Sequence, residues 1–230
     1  MVLGGLQKLT LLDYPGEIAA TVFVNGCNFR CPFCHNASLV LPTKLAEGID
    51  EAEFFDFLDS RRGRLSAVCV SGGEPTLYPD LPEFLSKIRE RGYLIKLDTN
   101  GFYPGKLKSA IDEGLLDYIA MDIKSSKESY GRAVGIPDID ISPAEESVKL
   151  IMSSGVDYEF RTTVTERFHS VEDFEAIGKW LSGCSKYYLQ NFVDSGNLID
   201  PSIRGCDKNV MNSMLSAVKE YIPEAEFRGL

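Results

Sequence analysis

Residues 25–36 read NGCNFRCPFCHN and place Cys27, Cys31 and Cys34 at the spacing C-x3-C-x2-C. They follow an apolar run at residues 18–24, whose Ala, Thr, Val and Phe side chains are typical of a buried strand. Cysteine thiolates are soft ligands that suit iron–sulfur clusters and zinc. The stretch therefore predicts a metal-binding loop at the carboxyl end of a strand.

The number of cysteines in this loop indicates which metal group it holds. A structural zinc site takes four protein ligands, and an iron–sulfur cluster held entirely by protein takes four cysteines. This loop offers three cysteines, and the sequence shows no obvious fourth nearby. A [4Fe–4S] cluster bound by Cys27, Cys31 and Cys34 would keep one iron open, so that a further ligand could bind there.

Two other interpretations of the loop stay open at this point. His35 could complete a zinc site as its fourth ligand. The cysteines could also form disulfides in a secreted protein. The remaining cysteines, Cys69, Cys184 and Cys206, are scattered along the chain, which suits core thiols better than a disulfide framework.

The composition predicts one ordinary globular domain. The 230 residues carry 44% hydrophobic and 25% charged side chains. The net charge of −10 argues against non-specific binding to nucleic acid or to an anionic membrane, since both need a basic surface. Residues 1–8 lack the features of a signal peptide, and no apolar run is long enough to cross a bilayer. These features predict a cytoplasmic protein.

Short buried strands alternate with amphipathic helices six times along the chain. The predicted strands cover residues 18–24, 67–71, 93–97, 118–121, 158–164 and 187–189. The predicted helices cover residues 51–61, 81–91, 105–113, 143–154, 171–181 and 208–221. Such alternation predicts a parallel sheet with right-handed crossovers. Six units are too few for an eight-stranded barrel. We therefore predict an α/β fold of one domain, residues 1–230, whose core at about 17–195 is a partial (β/α)6 TIM-like barrel.

Three connecting segments are less regular. Residues 1–17 predict a short strand or an extended lead-in that ends at a Pro-Gly turn. Residues 37–48 predict a loop in which Pro42 acts as a breaker. Residues 125–142 form a long polar stretch, and its length and polarity suit either closure over a ligand or contact with a partner.

Distinctive polar residues fall just after the predicted strands. GGEP at residues 72–75 follows the second strand, DTNG at 98–101 follows the third, and Asp122 and Lys124 follow the fourth. In parallel α/β folds, binding sites lie at the carboxyl ends of the strands. These motifs are therefore predicted to converge on one mouth beside the cysteine loop.

Each of these motifs also has a purely structural interpretation. Gly72 and Gly73 would let a backbone approach a ligand closely, but a glycine pair also makes a tight turn before a helix. Asp98 and Asp122 could accept local amides instead of binding a ligand. Lys124 lies on the same side as Asp122 if the strand continues. There it could meet a carboxylate or a ribose hydroxyl, or lie on the surface.

The cysteine spacing, with the aromatic Phe33 before the third cysteine, resembles the signature C-x3-C-x-aromatic-C of the radical S-adenosylmethionine (SAM) superfamily. Residues 72–74 likewise resemble the Gly-Gly-Glu motif of these proteins. The resemblance implies a radical SAM core and a cluster whose open iron is chelated by the amino and carboxylate groups of SAM.

A closer resemblance is to the glycyl-radical-enzyme activases, which include pyruvate formate-lyase activating enzyme. It rests on CHN at residues 34–36, GGEP at 72–75, DTNG at 98–101 and MDIK at 121–124, and it covers about residues 5–195. LDYPG at 12–16 and the compact length look most like anaerobic ribonucleoside-triphosphate reductase activating proteins. Some activases carry a cysteine-rich ferredoxin insert, but residues 37–66 contain no cysteine, so one cluster is expected.

The resemblance implies roles for individual residues. The cluster ligands, and hence the catalytic residues, are Cys27, Cys31 and Cys34. The residues expected to contact SAM are Phe33, His35, Gly72, Gly73, Glu74, Asn100, Lys124, Thr163 and Gln190. Asp98, Thr99 and Asp122 are expected beside the SAM carboxylate, around a monovalent cation. At the position of Gln190 the pyruvate formate-lyase activators carry a histidine.

The implied activity is reductive cleavage of SAM and formation of a glycyl radical on a partner enzyme, with flavodoxin or ferredoxin as the electron donor. The expected partner is anaerobic ribonucleoside-triphosphate reductase, and the alternatives are pyruvate formate-lyase or another glycyl radical enzyme. Two other classes stay open. One is a small-molecule radical SAM enzyme resembling 7-carboxy-7-deazaguanine synthase. The other is a non-catalytic iron–sulfur or zinc carrier, which would have no need of a SAM pocket.

Overall fold

The computed structural model describes residues 1–41 and 48–229 of the chain. Eight strands form one sheet, and their order across the sheet follows their order in the sequence. The strands are β1 (Leu3–Thr10), β2 (Ala19–Val24), β3 (Ala67–Gly72), β4 (Leu94–Thr99), β5 (Tyr118–Asp122), β6 (Asp157–Val164), β7 (Tyr187–Asn191) and β8 (Glu226–Phe227). β1 pairs antiparallel with β2, and all later neighbours are parallel.

Helices connect the parallel strands. They are α1 (Ala37–Val40), α2 (Glu51–Ser60), α3 (Leu81–Arg89), α4 (Pro104–Asp112), α5 (Tyr130–Val134), α6 (Ser142–Ser153), α7 (Val171–Trp180) and α8 (Lys208–Lys219). Strands β2–β7 and the helices that follow them are the six predicted units, so the predicted α/β partial barrel is confirmed. Within residues 1–41 and 48–229, no helix is long and apolar enough to cross a membrane.

The structure differs from the prediction in the segments that flank or connect these units. The lead-in contains a full strand, β1, which lies at one edge of the sheet. No sequence pattern predicts β8, because it has only two residues and no apolar run. α1 occupies the start of the segment predicted as a loop, and the rest of that segment, including Pro42, lies outside the described residues. The polar stretch at 125–142 contains α5.

Four strands continue further than predicted, to Gly72, Thr99, Asp122 and Asn191. The polar residues at these ends still pair with the next strand, as Thr99 does with Met121 and Asp122 does with Arg161. Side chains alternate between the two faces of a strand. These polar side chains at the mouth of the barrel therefore lie on the strands themselves and not on the loops that follow them.

The outer face of the barrel is apolar and packs against the helices. α3, for example, buries Leu81, Phe84, Leu85 and Ile88. Phe84 stacks on Phe54 of α2, with ring centroids 5.4 Å apart. Full burial of an apolar side chain of this size contributes about 1.5–3 kcal/mol. This layer holds the helices against the sheet.

The inner face of the barrel is polar, whereas parallel sheets are usually apolar on both faces. Lys96 and Glu159 are exposed by only 1% and 0% of their surface. Lys96 pairs with Asp98, and Glu159 accepts a hydrogen bond of 2.9 Å from Tyr118. Buried charges are costly unless they are paired, so the barrel interior is built as a network of paired charges.

A close backbone contact fixes the cysteine loop against the turn that follows β3. The N–H of Gly73 donates to the carbonyl of Val24 at 2.9 Å, and the N–H of Glu74 donates to the carbonyl of Gly26 at 2.8 Å. A Cβ atom on Gly73 would lie 1.8 Å from the Gly26 oxygen. Only glycine fits at this position, because that oxygen belongs to the backbone and cannot turn away.

We expect Gly73→Ala to lower the free energy of unfolding by about 1–3 kcal/mol, because the added methyl group forces two backbone segments apart. The matched control is Gly105→Ala in the first turn of α4, where a Cβ atom meets nothing within 4 Å. Alanine favours a helix over glycine by about 1 kcal/mol, so the control should be at least as stable as the wild type. Urea unfolding followed by circular dichroism measures both, and equal stabilities would contradict the close contact.

Candidate active site

The cysteine loop follows β2 at the mouth of the barrel. Its backbone is shaped by a turn in which the N–H of Cys34 donates to the carbonyl of Cys31 at 3.0 Å. Two further amides point at sulfur atoms: Phe29 N lies 3.3 Å from Cys27 Sγ, and Asn36 N lies 3.4 Å from Cys34 Sγ. Amide donors of this kind tune thiolate ligands in iron–sulfur sites.

The three cysteines of this loop line one cavity and offer it three thiol donors. In residues 1–41 and 48–229, no three His, Cys, Asp or Glu side chains lie close enough to share a single metal ion. Cysteine thiolates are soft donors of the kind that bind an iron–sulfur cluster, so this donor set suits such a group.

The three cysteines are free thiols in a largely buried setting. Burial raises the pKa of Cys27 to about 11 and that of Cys31 to about 12, and it also raises the pKa of Cys34. The thiols therefore keep their protons at neutral pH until a metal binds. Since only the thiolate is a ligand, cluster assembly must release these protons.

The segment after β5 supports the cysteine loop from behind. Arg30 N donates to the carbonyl of Val134 at 3.0 Å. Gly135 caps α5 with φ +76°, and a Cβ atom there would lie 2.7 Å from the Arg30 oxygen. On the other side, Asn100 donates to Asn28 at 2.8 Å. The polar stretch at 125–142 thus contributes α5 to the support of the loop.

One cavity brings nearly all of the predicted site residues together. Its walls include Cys27, Cys31, Phe33, Cys34, His35, Gly72, Gly73, Asp98, Thr99, Asn100, Asp122, Lys124, Thr163 and Gln190. They come from the carboxyl ends of six consecutive strands and the loops that follow them. The motifs therefore converge on one mouth of the barrel, as predicted.

Glu74 is the one predicted residue outside the walls of this cavity. Its fully buried carboxylate accepts hydrogen bonds from Thr76 N at 3.0 Å, Thr99 Oγ1 at 2.7 Å and Asn100 N at 2.6 Å. Burial raises the pKa of Glu74, although these donors act in the opposite direction. The side chain ties the Gly-Gly turn to the loop after β4, and its contact with SAM stays a prediction.

Asp98 and Asp122, where the resemblance implies a monovalent cation, already pair with cationic side chains. Lys96 pairs with Asp98, and Arg161 lies 3.2 Å from it. Arg161 and Lys124 donate to Asp122 at 2.5 Å and 2.8 Å. Burial alone would raise the pKa of Asp122, but Arg161 and Lys124 outweigh it and hold the pKa below its ordinary value. Both carboxylates are ionised and already neutralised by side chains.

Arg161 is the main functional residue that the sequence motifs miss. It lines the cavity from β6, two residues before Thr163. Ser71, at the end of β3, also lines the cavity and donates to Asp98 at 2.9 Å. The strand alternation could have found Arg161 as a wall residue, since it lies on the same face of β6 as Thr163.

Two histidines have different positions around the cavity. His35 lines it, packs 4.9 Å from the ring of Phe192, and has a buried Nε2 atom without a hydrogen-bond partner among the described residues. Burial lowers the pKa of His35, so its ring is neutral at pH 7. His169 lies behind the wall, with Nε2 2.9 Å from the backbone oxygen of Lys124. His35 can therefore meet a ligand, while His169 supports Lys124.

Comparison with known families agrees with this geometry. The radical SAM superfamily matches residues 21–181, which include the cysteine loop, the Gly-Gly turn and the ends of β4–β6. This family implies a [4Fe–4S] cluster and SAM. Both fit the residues present, because three thiols and an unpartnered histidine nitrogen face one cavity.

Three curated proteins show which radical SAM enzymes the chain is similar to. A candidate glycyl-radical enzyme activating enzyme of Methanocaldococcus jannaschii is 33% identical over 83% of this chain and 80% of its own length. The 7-carboxy-7-deazaguanine synthase of Methanopyrus kandleri is 26% identical over 70% and 79%. The pyruvate formate-lyase-activating enzyme of Clostridium pasteurianum is 31% identical over 54% of each chain.

A solved structure supports the fold. The crystal structure of Streptococcus suis SuiB bound to the precursor peptide SuiA superposes with a TM-score of 0.69 at 14% identity. It covers 90% of this chain, whereas this chain spans only 47% of SuiB. Taken with the matched family and the cysteine loop, these similarities show that the chain is a radical SAM enzyme of the family that includes the glycyl-radical enzyme activating enzymes.

Proposed function

We propose that this protein uses SAM to generate a glycyl radical on a partner enzyme. The observation that carries the proposal is the joint wall of one cavity. The three cysteines, the Gly-Gly turn, Asp122 and Lys124 all face it, and the similarity to an activating enzyme extends over 83% of the chain. The cysteine loop, the Gly-Gly turn and the residues that resemble the activases thus belong to a single site.

The residues of the cavity would each hold part of the bound groups. Cys27, Cys31 and Cys34 would hold one [4Fe–4S] cluster, which with SAM supplies one-electron cleavage of SAM to a 5′-deoxyadenosyl radical. Lys124 offers a cationic donor to a carboxylate or ribose oxygen. The backbone at Gly72 and Gly73 can approach the methionine end closely, since no side chains intervene.

The open side of the barrel suits a protein substrate. Within the described residues, β1 and β8 end the strand order and do not pair with each other. We infer that this unclosed barrel admits a glycine-bearing loop of a second protein. We propose anaerobic ribonucleoside-triphosphate reductase as that protein, on the basis of LDYPG at residues 12–16. We further propose a flavodoxin or ferredoxin as electron donor, and a cytoplasmic setting in which thiols stay reduced.

A small-molecule radical SAM activity is the second candidate. It is favoured by the similarity to a 7-carboxy-7-deazaguanine synthase over 70% of the chain. Such an enzyme would need no protein partner, and its product would be a modified small molecule. The two candidates share the cluster and SAM, so they differ only in what receives the radical.

Cluster dependence is the first test. We expect anaerobically reconstituted wild-type protein to bind about four iron atoms and, once reduced, to release 5′-deoxyadenosine from SAM. Cys31→Ala should lower the rate of this release at least about a hundredfold, because the cluster loses one of its three ligands. Cys184→Ala is the matched control, since Cys184 is buried but lies outside the cavity. Stoichiometric zinc, or an intact cluster without SAM cleavage, would contradict the proposal.

The radical acceptor is the second test. Reduced protein, SAM and anaerobic ribonucleoside-triphosphate reductase should yield a doublet signal of a glycyl radical by EPR, and Cys31→Ala should yield none. Pyruvate formate-lyase in place of the reductase tests the alternative partner. If neither enzyme gains a radical while SAM is cleaved in the presence of a deazaguanine precursor, the small-molecule activity replaces the activase.

A further inference from the structure

The carboxylate oxygens at the base of the cavity are all occupied by donors of the protein. The two oxygens of Asp98 face Lys96 on one side and Ser71 with Arg161 on the other. Those of Asp122 face Arg161 and Lys124. Each oxygen therefore has at least one cationic partner.

Arg161 is the centre of this arrangement, because each nitrogen of its guanidinium faces a different carboxylate. Nε lies 2.5 Å from Asp122, Nη2 lies 3.2 Å from Asp98, and Nη1 lies 3.9 Å from Glu159. The side chain is only 16% exposed. A planar fork with several fixed donors can join carboxylates from three strands in this way, which a lysine cannot.

Glu159 and Arg228 hold the guanidinium in place from below. The carboxylate of Glu159 is fully buried, accepts a hydrogen bond from Tyr118, and pairs with both terminal nitrogens of Arg228, at 2.6 Å for one of them. Arg228 follows β8 and stacks 4.0 Å over the ring of Tyr188. Because Arg228 neutralises Glu159, Arg161 remains directed at Asp98 and Asp122.

The charge at the base of the cavity is already positive, so it does not attract a further small cation. Two carboxylates, Asp98 and Asp122, stand against three cations, Lys96, Lys124 and Arg161, so the base of the cavity carries an excess of one positive charge. Adding a monovalent cation would raise this excess in a buried setting, where unpaired charge is costly. An excess of positive charge instead favours an anionic group, such as the carboxylate of SAM.

We propose that Arg161 is a built-in counter-cation of the SAM site, held by Glu159 and Arg228, and that it makes a bound monovalent cation unnecessary. The proposal rests on SAM binding at this cavity, but not on the identity of the radical acceptor. Arg161 is a positioning residue in this role, since it acts through Asp98 and Asp122.

The first experiment measures SAM binding to reconstituted protein by equilibrium dialysis under anaerobic conditions. Buffers contain potassium, sodium or tetramethylammonium chloride at equal ionic strength. Wild-type affinity should change by less than about twofold between them, well under the tenfold that 1.4 kcal/mol represents. Arg161→Met should weaken binding at least about tenfold in tetramethylammonium, because it removes the excess positive charge of the site and the Arg161 donors to Asp98 and Asp122. Potassium should restore part of that loss.

Two further variants test whether the effect depends on the charge of residue 161 and on its position in the cavity. Arg161→Lys preserves the charge and should stay independent of potassium, even if its affinity falls with the loss of the fork. Arg167→Met is the matched control, since Arg167 is 63% exposed, pairs with Asp200 and lies outside the cavity. It should bind SAM like the wild type. A wild type that loses tenfold in affinity without potassium or sodium would overturn the proposal.

A measurement without SAM separates this proposal from the proposed function. The thermal midpoint of unfolding of Arg161→Met should rise with potassium relative to tetramethylammonium, because a cation binding only the folded state stabilises it. The midpoint of the wild type should not respond selectively. If SAM fails to bind at all, the proposed function fails, while these midpoints still decide the role of Arg161.

The second experiment tests the support from below. Arg228→Met should weaken SAM binding at least about threefold, because the unpaired Glu159 then draws Arg161 away from Asp98. Adding Glu159→Gln to Arg228→Met should recover most of the affinity, since no buried charge remains to compete for Arg161. A merely structural role of Arg228 predicts no recovery in the double variant, and that result would remove Glu159 and Arg228 from the proposal.

Discussion

The constraint on which this structure depends is the burial of carboxylates inside a barrel. Asp98, Asp122 and Glu159 come from three neighbouring strands, β4, β5 and β6, and all three face the guanidinium of Arg161. A buried charge without a partner destabilises a protein by several kcal/mol. The pairing register of these strands is therefore coupled to the site, because a shift by one residue would turn the charges outward into the apolar layer. The pairing register of the strands and the ion pairs of the site therefore depend on each other.

The Gly-Gly-Glu motif shows how one sequence pattern serves several purposes. Its glycines matter because a backbone oxygen of the cysteine loop lies where a side chain would begin. Its glutamate matters because four hydrogen bonds hold Thr76, Thr99 and Asn100 around one carboxylate. These contacts join the loops after β2, β3 and β4 into one body. The motif thus shapes the wall that a ligand meets, and Glu74 does so from behind it.

Much of the site could be predicted from the sequence because its signals are local. The spacing of three cysteines and the position of polar motifs after strands need only a few consecutive residues to be recognised. The same is true of the six strand–helix units, whose periodicity is plain within each segment. The relatives and the matched family agree with these local signals.

The features that escape prediction depend on contacts between distant residues. Strand alternation places Arg161 at the mouth beside Thr163, but its ion pairs are known only once β4 and β5 bring Asp98 and Asp122 beside it. The hydrogen bonds of Glu74 to Thr99 and Asn100 likewise join two loops that are distant in the sequence. β8 is too short to leave a pattern, yet it carries Arg228 to Glu159, 69 positions away in the chain. The cations that neutralise Asp98 and Asp122 escape prediction for the same reason, since Arg161 and Lys96 are not part of the motifs.

The contacts that support the cysteine loop have a consequence for loss and renewal of the cluster. Backbone contacts from α5, the Gly-Gly turn and Asn100 shape the loop without any bond to metal. In small zinc domains the free energy of metal binding orders the polypeptide. In this protein the cysteine loop is ordered by contacts with the rest of the barrel. Loss of the cluster to oxygen would then leave an intact receptacle. The same polypeptide is then expected to take up a new cluster without refolding.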